Sequence, residues 1–176
     1  MQRFIDVILA TLALIALSPV LVPIIIGLKL TGEGEVFYVQ NRVGKDLRMF
    51  GLLKFATMLK DSEKLGAGTV TIKDDFRVLK FDKLLRKTKV NELPQIINIL
   101  KGDMSIIGPR PLHSKQFSFY SSVDQQIIAS VRPGLSGMGS VVFRDEESIL
   151  QSGSDHDVIY EKEISPIKAE LENYYV

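Results

Sequence analysis

An almost unbroken run of apolar side chains occupies the first thirty residues of the chain. From residue 7 to residue 28 the clearly polar side chains are one threonine and one serine, and Lys29 ends the run. About twenty apolar residues form a helix long enough to cross a hydrocarbon layer of roughly 30 Å. The pattern therefore predicts a membrane helix over residues 1–30 and a separate domain over residues 31–176.

Two prolines interrupt this apolar helix. Pro19 and Pro23 lack the amide proton that a helix needs, so we expect a kink there. The hydroxyl of Ser18 is placed to donate to a carbonyl that the proline leaves unpaired. Because Arg3 and Lys29 flank the run, the positive-inside tendency favours a re-entrant hairpin that enters and leaves on the cytoplasmic face. A spanning helix and a cleaved signal peptide are the alternatives.

Beyond the membrane helix, shorter periodic segments alternate with turns rich in glycine and asparagine. They predict an α/β domain that is mostly helical with a few short strands. The 176 residues, 45% of them hydrophobic, are enough for one such domain with a core. The predicted elements are a strand hairpin over 36–54, helices over 52–64, 76–89, 114–130 and 159–175, a glycine turn over 132–137 and a strand over 139–143.

The charge pattern limits the partners that the domain is expected to bind. The net charge is +1 and the chain has no cysteine, which excludes a disulfide framework and a thiolate metal site. A basic stripe on the predicted helix over 76–89 fits a solvated face or an anchor for anionic lipid headgroups. Because few aromatic residues accompany the stripe, a nucleic-acid site is not expected. Its members are Arg77, Lys80, Lys83, Arg86 and Lys87.

The segment over residues 88–112 joins a carboxylate, a helix start and a fixed arginine. Asn91 is suited to cap a helix whose first turn holds Glu92 and Pro94, and the positive end of that helix would favour an anion beside Glu92. Arg110 follows on a stiff turn between two prolines, where a bidentate bond to phosphate costs little further entropy. These features indicate a phosphate site; an amphipathic core helix followed by a plain proline turn is the alternative.

The same segment resembles the signature of a known family. Bacterial sugar transferases, the monotopic polyprenyl-phosphate phosphoglycosyltransferases, usually read Asp-Glu-Leu-Pro-Gln and later Gly-Asp-Met-Ser-x-x-Gly-Pro-Arg-Pro. This chain has Asn91 in place of the first aspartate and otherwise matches both strings. The resemblance extends over nearly the whole chain and includes Asn41-Arg42-Val43-Gly44, Lys54-Phe55-Ala56-Thr57-Met58 and Val131-Arg132-Pro133-Gly134.

The resemblance implies transfer of a sugar 1-phosphate from a nucleotide sugar, expected to be a UDP-sugar, to polyprenyl (undecaprenyl) phosphate. This step initiates the synthesis of surface glycans such as exopolysaccharide, lipopolysaccharide or capsule. The protein would be monotopic on the cytoplasmic face of the bacterial inner membrane, with a re-entrant helix that breaks at Ser18 and Pro19. Its partners would be the two substrates and the membrane, and the pattern is compatible with a homo-oligomer.

The resemblance also implies roles for individual residues. Two substrates rich in negative charge need cations, so Mg²⁺ is expected, with Glu92 as its ligand. Arg86, Arg110 and Arg144 would bind phosphate, although pairing with acidic neighbours explains Arg144 equally well. Asp103 is either a second metal carboxylate or a turn-forming residue.

The family's usual nucleophile is the aspartate that precedes this glutamate, and the chain has Asn91 there. An amide is a poor nucleophile at phosphorus, so the covalent mechanism does not carry over to Asn91 as it stands. Three accounts are open: a non-catalytic homologue that binds polyprenyl phosphate or scaffolds a partner transferase, an aspartate-to-asparagine variant made to trap a substrate, or a natural subgroup that works differently.

Further departures from the family pattern favour the natural subgroup. Ala56 replaces the usual arginine, and the string Phe143-Arg144-Asp145-Glu146-Glu147 replaces the usual run into Asn-Gly-Arg. A single engineered change would leave these positions alone. We therefore predict that Asp145 or Glu146 supplies the missing catalytic carboxylate, and direct attack by the polyprenyl phosphate is the other option.

Overall fold

The computed structural model describes residues 1–30, 34–57, 80–144 and 156–176, and these residues form a mostly helical structure with two small sheets. The strands are β1 (Phe37–Val43), β2 (Met49–Phe55), β3 (Ser105–Ile107) and β4 (Gly134–Ser136). The α-helices are α1 (Gln2–Leu30), α2 (Lys80–Lys87), α3 (Gln95–Lys101), α4 (Ser114–Phe117), α5 (Ser122–Ile128), α6 (Met138–Val142), α7 (His156–Ile159) and α8 (Ser165–Tyr175). Short 3₁₀ turns lie at Lys45–Leu47 and Val90–Glu92, and a π-helical turn at Tyr160–Ile164 joins α7 to α8.

Helix α1 is long and apolar enough to cross a membrane and runs through both prolines without interruption. The Ser18 hydroxyl donates to the Ile15 carbonyl at 2.7 Å. That carbonyl lies four residues before Pro19, which has no amide proton to donate to it. The predicted role of Ser18 is therefore confirmed. Helix α1 continues through Ser18 and Pro19 without the predicted break, and the re-entrant path stays a prediction.

Polar contacts fasten the first turns of α1 to the domain. Asp6 accepts hydrogen bonds from the Ser105 hydroxyl at 2.8 Å and from the Ile106 amide at 3.1 Å. Arg3 donates to the carbonyls of Ile99 and Leu100, near the end of α3. Since Asp6 is buried, these partners offset the cost of removing its carboxylate from water.

Apolar contacts continue the same side of α1 along the domain. Ala10 packs in a cluster with buried side chains of β2 and α3, and Ile24 and Leu28 pack in a second cluster with Phe55 and Leu85. The opposite side of the helix exposes large apolar residues, an arrangement suited to lipid. These exposed residues include Phe4, Ile8, Leu12, Ile15, Val22 and Ile26.

The predicted hairpin over 36–54 is confirmed as the antiparallel pair β1 and β2. Its register runs from Phe37 opposite Phe55 to Val43 opposite Met49. The predicted helix over 52–64 is wrong for residues 52–55, which continue β2 because β1 supplies hydrogen-bond partners along that whole length. Residues 56 and 57 are in neither helix nor strand, and residues 58–64 lie outside the described residues.

The second sheet depends on close packing of Gly108 against Gly134. Strands β3 and β4 are parallel, with Ser105 opposite Gly134 and Ile107 opposite Ser136. A Cβ atom on Gly134 would lie 2.1 Å from the Gly108 amide nitrogen, so a side chain cannot fit there. Part of the predicted glycine turn over 132–137 is therefore strand.

Two other predicted elements are corrected by the structure. The predicted strand over 139–143 is helix α6 instead. After β4 the chain no longer pairs with β3 and forms local hydrogen bonds, such as that from the Phe143 amide to the Gly139 carbonyl at 3.0 Å. The predicted helix over 114–130 is divided into α4 and α5, because the Ser121 hydroxyl accepts a hydrogen bond from the Asp124 amide and caps α5. The predicted helix over 76–89 is confirmed over Lys80–Lys87 and ends before residues 88 and 89, which form a turn, and the predicted helix over 159–175 is confirmed.

Candidate active site

Glu92 lies at the end of the 3₁₀ turn between α2 and α3. The turn begins after Lys89, whose backbone has a left-handed conformation with φ 58°, and the Glu92 amide donates to the Lys89 carbonyl at 3.1 Å. Helix α3 starts only at Gln95, so the prediction that Asn91 caps this helix is wrong. Asn91 lies within the 3₁₀ turn, where the chain turns too tightly for its side chain to reach the first amides of α3.

The Asn91 side chain is buried against the domain. The residue is 8% exposed, and its Oδ1 atom accepts no hydrogen bond from any side chain or backbone group that the structure describes. A buried amide oxygen without a partner is costly in a folded protein. The position that holds the nucleophile in the usual family pattern is therefore largely removed from solvent here.

An ion pair joins Glu92 to strand β2. The Lys54 ammonium lies 3.5 Å from Glu92 Oε1, and the two side chains are 19% and 22% exposed. Asn98, which is fully buried on α3, fixes the strand that carries Lys54: it donates to the Gly51 carbonyl at 2.8 Å and accepts from the Leu53 amide at 2.9 Å. The Asn98 bonds and the ion pair hold β2 beside the Glu92 segment, although Lys54 and Glu92 are 38 residues apart in the sequence.

The charges around Glu92 keep its carboxylate ionised. Burial by itself would raise the pKa of Glu92, but the positive charges of Lys54, Arg110 and Lys89 outweigh it and lower the pKa. Burial lowers the pKa of Lys54 to about 8, although the Glu92 carboxylate partly opposes the shift. Burial, with the nearby charge of Arg110, lowers the pKa of Arg42 to about 10.

Arg42 is a member of the site that the sequence prediction missed. It lies half-buried on β1, donates from Nη2 to Gln40 Oε1 at 2.6 Å, and has an Nε atom without a partner among the described residues. The missed signal is the period of two along β1, where Tyr38, Gln40 and Arg42 alternate with exposed positions. The sequence prediction also missed Lys54 as a site residue, because its role is visible only in its contact with Glu92.

Arg110 has the stiff setting that its sequence predicts. Both flanking prolines are buried while the Arg110 side chain is exposed, and the Arg110 amide donates to Glu172 Oε1 at 3.4 Å. The charge of Arg110 reaches Glu92, Arg42 and Lys54, since it contributes to the pKa shift of each. The structure thus brings together the two residues, Glu92 and Arg110, that the motif places 18 positions apart in the sequence.

Arg86, Arg144 and Asp103 are the other predicted site residues that the structure describes. Arg86 is half-buried in the last turn of α2, and Arg144 is exposed shortly after α6. Asp103 accepts a hydrogen bond from Asn98 at 3.2 Å in the turn after α3, in agreement with its turn-forming interpretation. Asp145 and Glu146 lie outside the described residues. Within the described ranges, there is no group of three or more side chains with metal-ligating chemistry.

The arrangement is suited to binding phosphate groups. Lys54 pairs with the Glu92 carboxylate, and the positive charges of Arg42, Arg110 and Lys89 act on the same group. Such a surplus of fixed positive charge stabilises oxyanions of a diphosphate.

Comparison with known proteins shows the family of this chain. The family model described as bacterial sugar transferase matches residues 1–171. The chain belongs to the bacterial sugar transferase family. Its relatives include the UDP-N-acetylgalactosamine-undecaprenyl-phosphate N-acetylgalactosaminephosphotransferase of Aeromonas hydrophila, which is 37% identical over 93% of this chain and 40% of its own length.

Two further relatives of this sugar transferase cover different shares of their own chains. The exopolysaccharide production protein ExoY of Sinorhizobium fredii is 35% identical over 84% of this chain and 71% of its own length. The UDP-glucose:undecaprenyl-phosphate glucose-1-phosphate transferase of Klebsiella pneumoniae is 34% identical over 90% of this chain and 35% of its own length. The chain thus spans 40% of the length of the Aeromonas relative and 35% of the length of the Klebsiella relative.

Proposed function

We propose that this protein transfers a sugar 1-phosphate from a UDP-sugar to undecaprenyl phosphate and so initiates the synthesis of a surface glycan. In this reaction the bond between the β-phosphorus and the bridging oxygen breaks, and UMP leaves with the electron pair. A new bond forms between that phosphorus and an oxygen of the lipid phosphate, which yields a polyprenyl diphosphate sugar. Relatives named for this transfer support the proposal, but the observation that carries it is the Glu92 carboxylate, which pairs with Lys54 and feels the positive charges of Arg42 and Arg110.

The cationic side chains have a direct task in this reaction. The diphosphate of the nucleotide sugar and the phosphate of the lipid repel each other, and negative charge grows on the departing UMP. Arg110 and Arg42 offer donors that stabilise this charge: the Arg42 guanidinium is held by Gln40, and the main chain of Arg110 is held by Glu172. Arg86 and Arg144 are proposed as further phosphate-binding residues.

Magnesium is proposed to bind at Glu92. The ionised carboxylate is a hard oxygen ligand, and Mg²⁺ in such sites is commonly held by one or two carboxylates together with substrate phosphates. When bound, the ion would neutralise phosphate charge. Because Lys54 pairs with Glu92 and cations surround it, we expect the ion to bind together with the diphosphate rather than before it.

The catalytic nucleophile is proposed to differ from the family's usual aspartate. Asn91 is buried and has no negative charge to attack phosphorus. Asp145 or Glu146 is the proposed substitute, and direct attack by an oxygen of the lipid phosphate is the alternative. The first route passes through a covalent phosphosugar on the carboxylate, whereas the second route has no covalent enzyme intermediate.

Helix α1 is proposed to attach this chemistry to the cytoplasmic face of the inner membrane as a monotopic anchor. Its exposed apolar side suits lipid, and its other side is fastened to the domain by Asp6 and Arg3. This placement would hold the cationic site close to the lipid phosphate.

A second candidate function is a non-catalytic homologue that binds polyprenyl phosphate or a partner transferase. The presence of Asn91 in place of the nucleophile favours it. The ion pair of Glu92 with Lys54 and the neighbouring arginines are what a phosphate-binding protein would also retain.

Release of UMP distinguishes the two functions. The full chain in detergent is incubated with undecaprenyl phosphate, Mg²⁺ and a panel of UDP-sugars, beside Glu92→Gln and Asn91→Asp. Release by the unaltered chain that Glu92→Gln abolishes supports the transferase. No release by the unaltered chain with any UDP-sugar, together with release by Asn91→Asp, would show that Asn91 disables an ordinary site and would support the non-catalytic function.

A further inference from the structure

A buried carboxylate on helix α8 contacts residues 108–111, the turn that carries Arg110 and is called the arginine loop below. Glu172 on α8 is 2% exposed. Its Oε1 atom accepts a hydrogen bond from the Arg110 amide at 3.4 Å, and the Gly139 amide, which lies against the same carboxylate, opposes the rise of its pKa. Gly139 is the second residue of α6, whose first amides have no partner inside the helix. One side chain therefore contacts two backbone donors from separate parts of the chain.

The glycines of α6 leave room for this carboxylate. A Cβ atom on Gly139 would lie 2.5 Å from Glu172 Oε1, closer than any real contact permits. A Cβ atom on Gly137 would lie 3.5 Å from Oε2 and 2.2 Å from the Gly108 carbonyl oxygen. The start of α6, the arginine loop and Glu172 thus form a close-packed unit in which the carboxylate is the central group.

The setting of Glu172 is costly for a residue that serves stability alone. Oε2 has no hydrogen-bond donor among the described residues, and burial raises the pKa of the carboxyl group despite the opposing effects of the two amides, Lys168 and Arg110. A neutral side chain of the same shape would satisfy the same amides without the cost of burying a charge. What this position requires is therefore an acceptor oxygen that joins the arginine loop to the start of α6.

We infer that Glu172 is a positioning residue that fixes the arginine loop against the start of α6, and so places Arg110 and Arg144 for the substrate phosphates. This inference rests on the proposed function, since it names how that same site is held. Arg110 is fixed directly through its own amide. Arg144 is fixed through α6, because it follows that helix by two residues and Glu172 holds the helix start.

The test compares Glu172→Ala with a variant that loosens the same helix elsewhere. Asn173 donates to Asp124 at 2.6 Å and does not contact the arginine loop, so Asn173→Ala is the matched structural control. Glu172→Gln is the conservative variant, because it keeps an oxygen acceptor for the amides. The full chain in detergent is measured for the KM of the UDP-sugar, for the affinity of UDP and for hydrogen exchange of the Arg110 and Gly139 amides.

We expect Glu172→Ala to raise KM and to weaken UDP binding by about tenfold or more, as small misplacements of a positioned group do. Exchange of the Arg110 and Gly139 amides should be faster by about tenfold, since their acceptor is gone. Glu172→Gln should restore most of both effects. Asn173→Ala should lower the melting midpoint but leave KM and both amides unchanged.

Equal changes in Glu172→Ala and Asn173→Ala, or unchanged exchange of the Arg110 and Gly139 amides in Glu172→Ala, would overturn the inference. If Glu172→Ala does not fold, Gly139→Ala replaces it, because the new methyl group displaces Oε1. Absence of UMP release by the unaltered chain would count against the proposed transferase only, because hydrogen exchange and UDP binding still decide the role of Glu172.

Discussion

Glu92 and Glu172 share Arg110 as a neighbour, yet their surroundings affect their charge in opposite directions. Glu92 is surrounded by side-chain cations, which lower its pKa in spite of burial. Glu172 is enclosed by backbone amides and glycines, and burial raises its pKa in spite of the opposing charges of Lys168 and Arg110. The first carboxylate has its charge stabilised and reaches solvent in part, whereas the second is enclosed.

This difference separates a group that can meet substrate from a group that can only hold the protein. An ionised carboxylate beside several cations can exchange partners when a diphosphate or a metal ion arrives. A carboxylate enclosed by main-chain donors has no such freedom, and its effect on substrate passes through the arginine loop. Removal of the first should therefore affect the reaction itself, and removal of the second should affect placement.

The largest expected effect is that of Glu92→Gln. The amide keeps the size of the side chain but loses the charge that pairs with Lys54 and would bind Mg²⁺. We expect kcat/KM for UMP release to fall by about 10²-fold to 10³-fold, the usual cost of one preorganised electrostatic group. Glu170→Gln, an exposed change on α8, should leave the rate unchanged. A Glu92→Gln rate within threefold of the unaltered chain would contradict the role of Glu92 in the reaction.

The next effect is that of Arg110→Lys, which tests the neighbour that the two carboxylates share. Lysine keeps the charge but cannot form the planar, bidentate contact of a guanidinium with phosphate, so we expect KM for the UDP-sugar to rise by about 10-fold to 100-fold. The amide bond to Glu172 belongs to the main chain and should remain. Hydrogen exchange of that amide checks this point.

The control for Arg110→Lys is Arg48→Lys, an exposed arginine in the turn between β1 and β2. Equal KM values for both lysine variants would show that charge alone matters at position 110.

Asp6→Ala extends the comparison to a third carboxylate whose partners lie at the membrane helix. The variant loses bonds to the Ser105 hydroxyl and the Ile106 amide, and each leaves a partner without its acceptor. We expect a loss of about 1 to 3 kcal/mol in stability, the cost of unsatisfied buried groups. Thermal melting in detergent measures it, and Asp46→Asn, exposed, is the control. A changed KM without a lower melting midpoint would connect α1 to the site instead.

The local parts of this site could be predicted from the sequence, because short-range chemistry determines them. Ser18 bonds within its own helix, and the stiff turn of Arg110 needs only its two prolines. The position of Glu92 beside a turn and a helix also followed from its neighbours in sequence, although Asn91 proved to lie inside a 3₁₀ turn.

The parts that the sequence did not predict depend on distant pairing. Lys54 meets Glu92 across 38 residues, and Glu172 meets Arg110 across 62 residues. Neither contact leaves a periodic signal, because each is a single polar side chain on an element that the apolar pattern already explains. The predicted strand over 139–143 was wrong for a related reason. Its β-branched residues favour a strand, but the segment follows the end of β4 and lies close to Glu172, and there it forms α6.

The smallest expected effect is the pH dependence of Glu172→Gln, and it tests the enclosed carboxylate directly. Because the pKa of Glu172 is raised above its usual value of 4.5, the folded state holds its proton to a higher pH than the unfolded chain does. The contribution of Glu172 to the stability of the unaltered chain should therefore be full below pH 4.5 and fall as the pH rises through the raised pKa. Glutamine has no proton to lose, so the melting midpoint of Glu172→Gln minus that of the unaltered chain should grow over this window and then level off.

Glu170→Gln, two residues away and exposed, should show no such growth, and all other carboxylates cancel in the difference. A difference that shrinks as the pH rises would mean that the charged form of Glu172 stabilises the fold, and the contrast with Glu92 would then fail. A growing difference together with a KM that glutamine leaves nearly unchanged would show that the amides need an acceptor oxygen more than a charge. In that case placement of the arginine loop, and not the charge of Glu172, is what this carboxylate contributes to the site.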